Sequence, residues 1–106
     1  MDYATKERLA RTRDASDEAI ATRLQAARRA VGLQQKDLAR KLGVSATTYN
    51  SQEVRGRPSR EAMLLFYREF RIDFNFVLHG DFAQLPGDVQ EALFAALAAG
   101  EPSSSP

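Results

Sequence analysis

Between Gln34 and Glu53 the chain reads as two short helices joined by a tight turn, and few folds accommodate such a unit. Leu38, Ala39 and Leu42 fall at i, i+1 and i+4, on one face of a helix. Gly43 follows the last of them, and glycine tolerates the left-handed backbone that ends a helix because it has no Cβ. Val44 gives the turn one apolar anchor, and Ser45 can cap the next helix by accepting a bond from a free backbone N–H. Tyr49 then points inward among small polar neighbours.

The flanking segments are also helical in pattern. Ser16 caps a helix whose first turn carries Asp17 and Glu18, where carboxylates favour the positive end of the dipole. Ile20, Leu24, Ala27 and Val31 form its apolar face, and Gly32 stops it. Val54 to Pro58 contains Gly56 and marks a break. Ser59 caps the next helix, which carries Ala62, Met63, Leu65, Phe66 and Phe70 out to Arg71. A short fifth helix spans about 74–79 and Gly80 ends it. Pro86 opens a last helix, about 86–99, with Val89, Leu93 and Leu97 at i+4 spacing. Residues 101–106 are Ser/Pro-rich and expected to be disordered. No stretch alternates long enough for a strand, so an all-α fold is expected.

Residues 2–13 carry only Tyr3 and Leu9 as large apolar side chains, beside Lys6, Arg8, Arg11 and Arg13. Residues 1–18 therefore read as a loose arm or short helix. Residues 19–80 form the central domain, and 81–106 an acidic C-terminal helix and tail. Charge follows this division. Residues 19–72 hold eleven Lys/Arg against four Asp/Glu, whereas residues 73–106 hold five Asp/Glu and no Lys/Arg. A basic module beside an acidic one is an electrostatic footprint for phosphate binding, although a solvated helical surface would give the same count.

Other chemistry finds little support. The chain has no cysteine, which excludes disulfides, thiol nucleophiles and cysteine zinc sites. His79 is the single histidine, no cofactor motif is present, and no enzyme is expected. No apolar run approaches the ~20 residues that span a bilayer. Met1 to Lys6 lacks the apolar core of a signal peptide, so a cytoplasmic location is expected.

Two helices joined around Gly43 form a helix-turn-helix unit, with the motif at about 35–54. Gln35, Leu38-Ala39, Leu42-Gly43-Val44-Ser45, Thr48, Tyr49 and Glu53 resemble the helix-turn-helix of the Cro and phage-repressor (XRE-type) family. The resemblance continues through Arg57-Pro58-Ser59 and Asp73 to Gly80. It implies a five-helix, lambda-repressor-like domain, here with an additional C-terminal helix. It also implies double-stranded DNA as partner, in a bacterium or phage.

In such a unit the second helix enters the major groove. Its outward residues are Ala46, Thr47, Thr48, Asn50 and Ser51, the candidates for base contacts. Gln35, by resemblance, together with Lys36, Ser45, Arg55 and Arg57, are the candidates for phosphate contacts. The resemblance further implies an ion pair between Arg28 and Glu53. Val89, Leu93, Phe94 and Leu97 could pack on the fifth helix or form a homodimer seam.

The sequence departs from the family at Gln52, where an apolar residue is usual, and at Gly56, which follows Glu53 by three residues rather than two. The expected function is a transcriptional regulator, a repressor binding an inverted repeat as a homodimer. The alternatives are an antitoxin with a toxin partner, or a protein-interaction module that has lost base readout.

Overall fold

The computed structural model describes residues 1–101, which form seven α-helices and no strand. The tail expected to be disordered lies outside the described residues from 102 onward. The helices are α1 (Tyr3–Ala10), α2 (Asp17–Ala30), α3 (Gln35–Leu42), α4 (Ala46–Arg55), α5 (Arg60–Phe70), α6 (Phe74–His79) and α7 (Gly87–Gly100). Short side chains set their starts: Asp2, Ser16, Ser45, Ser59 and Asp73 each accept a bond from the backbone N–H three residues on. No helix among the described residues is long and apolar enough to cross a membrane.

One apolar core runs through all of this, from Leu9 in α1 to Leu97 in α7. The N-terminal segment and the C-terminal helix both contribute to this core. Of the two expectations for the N-terminal segment, loose arm or short helix, residues 3–10 form the short helix, capped by Asp2. Leu9 and Ala10 are buried, and the Tyr3 ring lies 5.1 Å from Phe82, which stands edge-on to Phe94 at 5.0 Å. The basic side chains expected on this segment are engaged as well. Arg8 bonds Glu101, Arg13 pairs with Glu7 at 3.2 Å, and the Lys6 ammonium sits over the Phe94 ring.

A correction concerns α7. Val89, Leu93, Phe94 and Leu97 are all buried in the chain's own core, so they do not present a dimer seam. Nor does α7 lie on the fifth helix, α6; it runs along α2 and against α1. Small side chains border the grooves between these two helices, Ala26 and Ala96 in one and Ala30 and Ala92 in another. Truncation after Gly80 would thus remove part of the core rather than a separable interface.

A buried arginine ties the outer helices to this core. Arg23 is 0% exposed and donates only to backbone carbonyls. Nε reaches Val77 O at 3.0 Å; Nη1 reaches Ala10 O at 2.9 Å and Arg11 O at 3.1 Å; Nη2 reaches Asp14 O at 2.6 Å and Leu78 O at 3.1 Å. Four of these carbonyls belong to the C-terminal ends of α1 and α6, where helices leave acceptors unpaired and carry partial negative charge.

Gly56 closes α4 against α2. It adopts φ +67, and a Cβ placed on it would stand 1.8 Å from the Asp17 carbonyl oxygen. The unusual spacing after Glu53 thus brings the backbone of the α4 end onto the first turn of α2. Gln52 takes part as well: its Oε1 accepts from the Ser59 N–H at 2.8 Å, so a polar residue braces the loop where the family usually has an apolar one.

Candidate nucleic-acid interface

The helix-turn-helix is held from beneath by one carboxylate. Glu53 is 3% exposed and accepts from three side chains. Arg28 donates through Nε to Oε1 at 2.7 Å and through Nη2 to Oε2 at 3.1 Å. Gln35 Nε2 donates to Oε2 at 3.0 Å, and the buried Tyr49 hydroxyl donates to Oε1 at 3.2 Å. Arg28 also donates to Leu33 O at 3.0 Å. The cluster therefore joins α2, the start of α3 and the inner face of α4.

Burial pushes the Glu53 carboxyl up. The hydrogen bonds from Arg28, Gln35 and Tyr49, with the charge of Arg28, outweigh it and hold the group below its ordinary 4.5. Burial and the neighbouring carboxylate push the Tyr49 hydroxyl well up, so it stays a donor.

The sign of the pH dependence follows. A depressed carboxylate contributes stability that is complete above its unfolded value and is lost as pH falls through the folded one. Glu53→Gln should cost about 2 kcal/mol at pH 7, within the range for hydrogen bonds to charged groups. The gap between wild type and variant should narrow as pH falls below 4.5. Urea unfolding at pH 7 and pH 3 checks this; an equal gap at both would show that the charge of Glu53 is not what matters.

With Tyr49 and Glu53 turned inward, α4 presents its other face to solvent. Ala46, Thr47, Thr48 and Asn50 are exposed and Ser51 is half-buried. Val54 is 67% exposed. Thr47, Asn50, Ser51 and Val54 fall at i, i+3, i+4 and i+7, a single stripe along the helix. Sequence reasoning missed Val54 because it reads as a loop residue before Gly56. Its spacing from Thr47 and Asn50 was the available signal.

The phosphate candidates divide. Lys36 and Arg55 are exposed and have no carboxylate partner among the described residues. Arg57 pairs with Asp17 at 3.1 Å, a consequence of the α4 end docking on α2. Ser45 is committed locally: its Oγ accepts from Thr48 N–H at 3.1 Å and donates to Thr48 Oγ1 at 2.9 Å. Gln35 spends one amide N–H on Glu53 and retains the other.

The regional count of basic residues overstates what can meet phosphates. Arg23 and Arg28 are internal, and Arg40, Lys41 and Arg71 face Asp37, Glu69 and Asp88. Arg60, exposed at the start of α5, joins Lys36 and Arg55 as a cation without such a partner among the described residues.

A family model described as Helix-turn-helix matches residues 24–74, from within α2 to the first residue of α6. No curated protein and no solved structure matches the chain. The matched family is a non-enzymatic, DNA-binding one, which makes DNA the expected partner. Residues 24–74 are accordingly a helix-turn-helix domain of the Cro and phage-repressor (XRE) type, carried within an all-α chain.

Proposed function

We propose that this protein is a sequence-specific transcriptional regulator that binds an inverted repeat as a homodimer and acts as a repressor. The observation that carries the reading is the exposed stripe of α4, fixed in direction by the Glu53 cluster beneath it. Asn50 is the side chain there able to make a bidentate contact, donating to adenine N7 and accepting from N6. The methyl groups of Ala46, Thr47 and Val54 suit the thymine C5-methyl. With no Arg or Lys on the stripe, A·T-containing steps are the expected targets. Repression needs only that the site be occupied, so it asks for no surface beyond the one that meets DNA.

One copy covers one half-site, and a pseudo-palindrome needs a second copy about 34–36 Å away. With the apolar face of α7 buried, the surface best suited to that contact is the exposed apolar group on α5 and α6. Tyr67 and Phe74 stand edge-on at 5.9 Å, with Leu78 exposed on the same short helix as Phe74. The packing of α7 through Val89, Leu93, Phe94 and Leu97 also favours a regulator over an antitoxin, since its apolar face is already used in the core and is not free for wrapping a toxin.

Selection of bound duplexes from a random library tests the reading. The expected outcome is an enriched inverted repeat with A·T pairs at matching positions of each half. Recovery of no consensus would favour the interaction-module alternative.

Phosphate anchoring has its own expected result. Lys36→Ala and Arg55→Ala should each weaken binding on all duplexes and shrink the slope of log K against log salt by about 1. Arg57→Ala should change the slope less, because Asp17 already neutralises that cation. Salt titrations of the three variants on one random duplex give the comparison.

A further inference from the structure

We propose that the cleft between α1, α2 and α7 binds a small organic carboxylate. The cleft is open to solvent on one side and has a volume of about 450 Å³, within the ~300–1,000 Å³ usual for small-molecule sites. The buried side chains of Leu9, Ala26 and Leu97 give it an apolar floor, with polar Thr22 and Gln25 beside them. Arg8, Arg11 and Arg29 also line the cleft. Guanidinium groups bind carboxylates through paired, charge-assisted hydrogen bonds, and an apolar floor beneath them suits an acid with an apolar body.

A second observation identifies the ligand chemistry. Arg8 donates to the carboxylate of Glu101, which also lines the cleft. The chain thus supplies one carboxylate of its own to a cleft lined by three guanidinium groups. Arg29 has no carboxylate partner among the described residues, and Arg11 only reaches Asp14 at 4.0 Å. The backbone of Arg11 is fixed in turn, because its carbonyl accepts from buried Arg23. Basic residues near the ends of α1 and α2 also complement the helix dipoles. That role requires neither a cleft nor an apolar floor. An incoming acid would engage Arg29 and Arg11 and displace Glu101 from Arg8.

This site stands apart from DNA reading, and its test contains no DNA. Sodium benzoate would be titrated into the isotope-labelled full chain at constant ionic strength, with backbone amide resonances followed. Benzamide and inorganic phosphate serve as controls. Saturable shifts around Arg8, Arg11, Arg29 and Leu97 are expected with benzoate alone. Arg29→Gln, at an exposed position that no core contact needs, should weaken binding about tenfold or more, the effect of losing one charge-assisted bond. Glu101→Gln should strengthen it by removing the internal competitor. Shifts that never saturate, equal responses to phosphate or benzamide, or an unchanged affinity in Arg29→Gln would each overturn the proposal.

Discussion

Arg23→Met should lower the unfolding free energy by about 5 kcal/mol or more. Methionine fills much of the volume but donates nothing; the Val77 and Ala10 carbonyls are buried and those of Arg11, Asp14 and Leu78 partly so. A buried acceptor left without its donor costs about 1–3 kcal/mol, so two or three of the five suffice for the expected loss. Replacing a buried ion pair by apolar residues can be neutral because both partners are removed together. That escape is closed here, since the partners are main-chain carbonyls of Ala10, Arg11, Asp14, Val77 and Leu78.

Burial pulls the Arg23 pKa down to about 10, with the nearby Asp14 charge opposing it, and the guanidinium remains charged at neutral pH. Domains of this size are stable by only about 5–15 kcal/mol, so the variant should be largely unfolded or should lose the docking of α1 and α6. Arg23→Lys retains charge but not the planar fork of five donors, and should recover only part of the loss. Urea unfolding followed by circular dichroism measures all three proteins. A loss under about 1 kcal/mol for Arg23→Met would mean that the carbonyls find other partners.

Gly56→Ala should be nearly as damaging, at about 3–5 kcal/mol. Two costs combine. A non-glycine residue held in the left-handed region costs about 1–3 kcal/mol, and forcing atoms into a packed site costs a similar amount. The obstacle is backbone: the new Cβ would lie 1.8 Å from Asp17 O and 2.7 Å from Asp17 C, and no rotamer change can relieve that. The end of α4 must lift from α2, and this should also release Arg57 from Asp17. Gly43→Ala offers a contrast, since Gly43 has φ +70 but nothing near its missing Cβ. It should show the conformational cost alone, about 1–3 kcal/mol. Thermal unfolding of both variants separates strain from collision; equal losses would remove the argument for close approach.

The helices from α2 to α6 were legible because their signals are local. Serine caps, glycine stops and the apolar spacing within each segment need no knowledge of distant residues. The packing of α1 and α7 was not legible, because the partners of Tyr3 and Leu9 lie some eighty residues away, around Phe82 and Leu97. Arg23 left a trace that went unread: it sits with Ile20, Leu24 and Ala27 at i, i+3, i+4 and i+7, a charge inside an apolar stripe.

The site divides in the same way. The outward face of α4 follows from helical spacing once Tyr49 and Glu53 turn in. The spare basic charge does not, because it depends on which arginines meet a carboxylate across the fold. Arg57 shows this, as only the docking of Gly56 on α2 brings it to Asp17.

The central claim, that the exposed face of α4 reads base pairs, is tested most directly by one comparison. The duplex recovered by selection and a random duplex of equal length would be titrated with wild type and Asn50→Ala at fixed salt. Asn50→Ala should lose about 1–3 kcal/mol on the selected duplex, the worth of one bidentate base contact, and almost nothing on the random one, since no charge is removed. An equal loss on both duplexes, or no loss on either, would contradict the account.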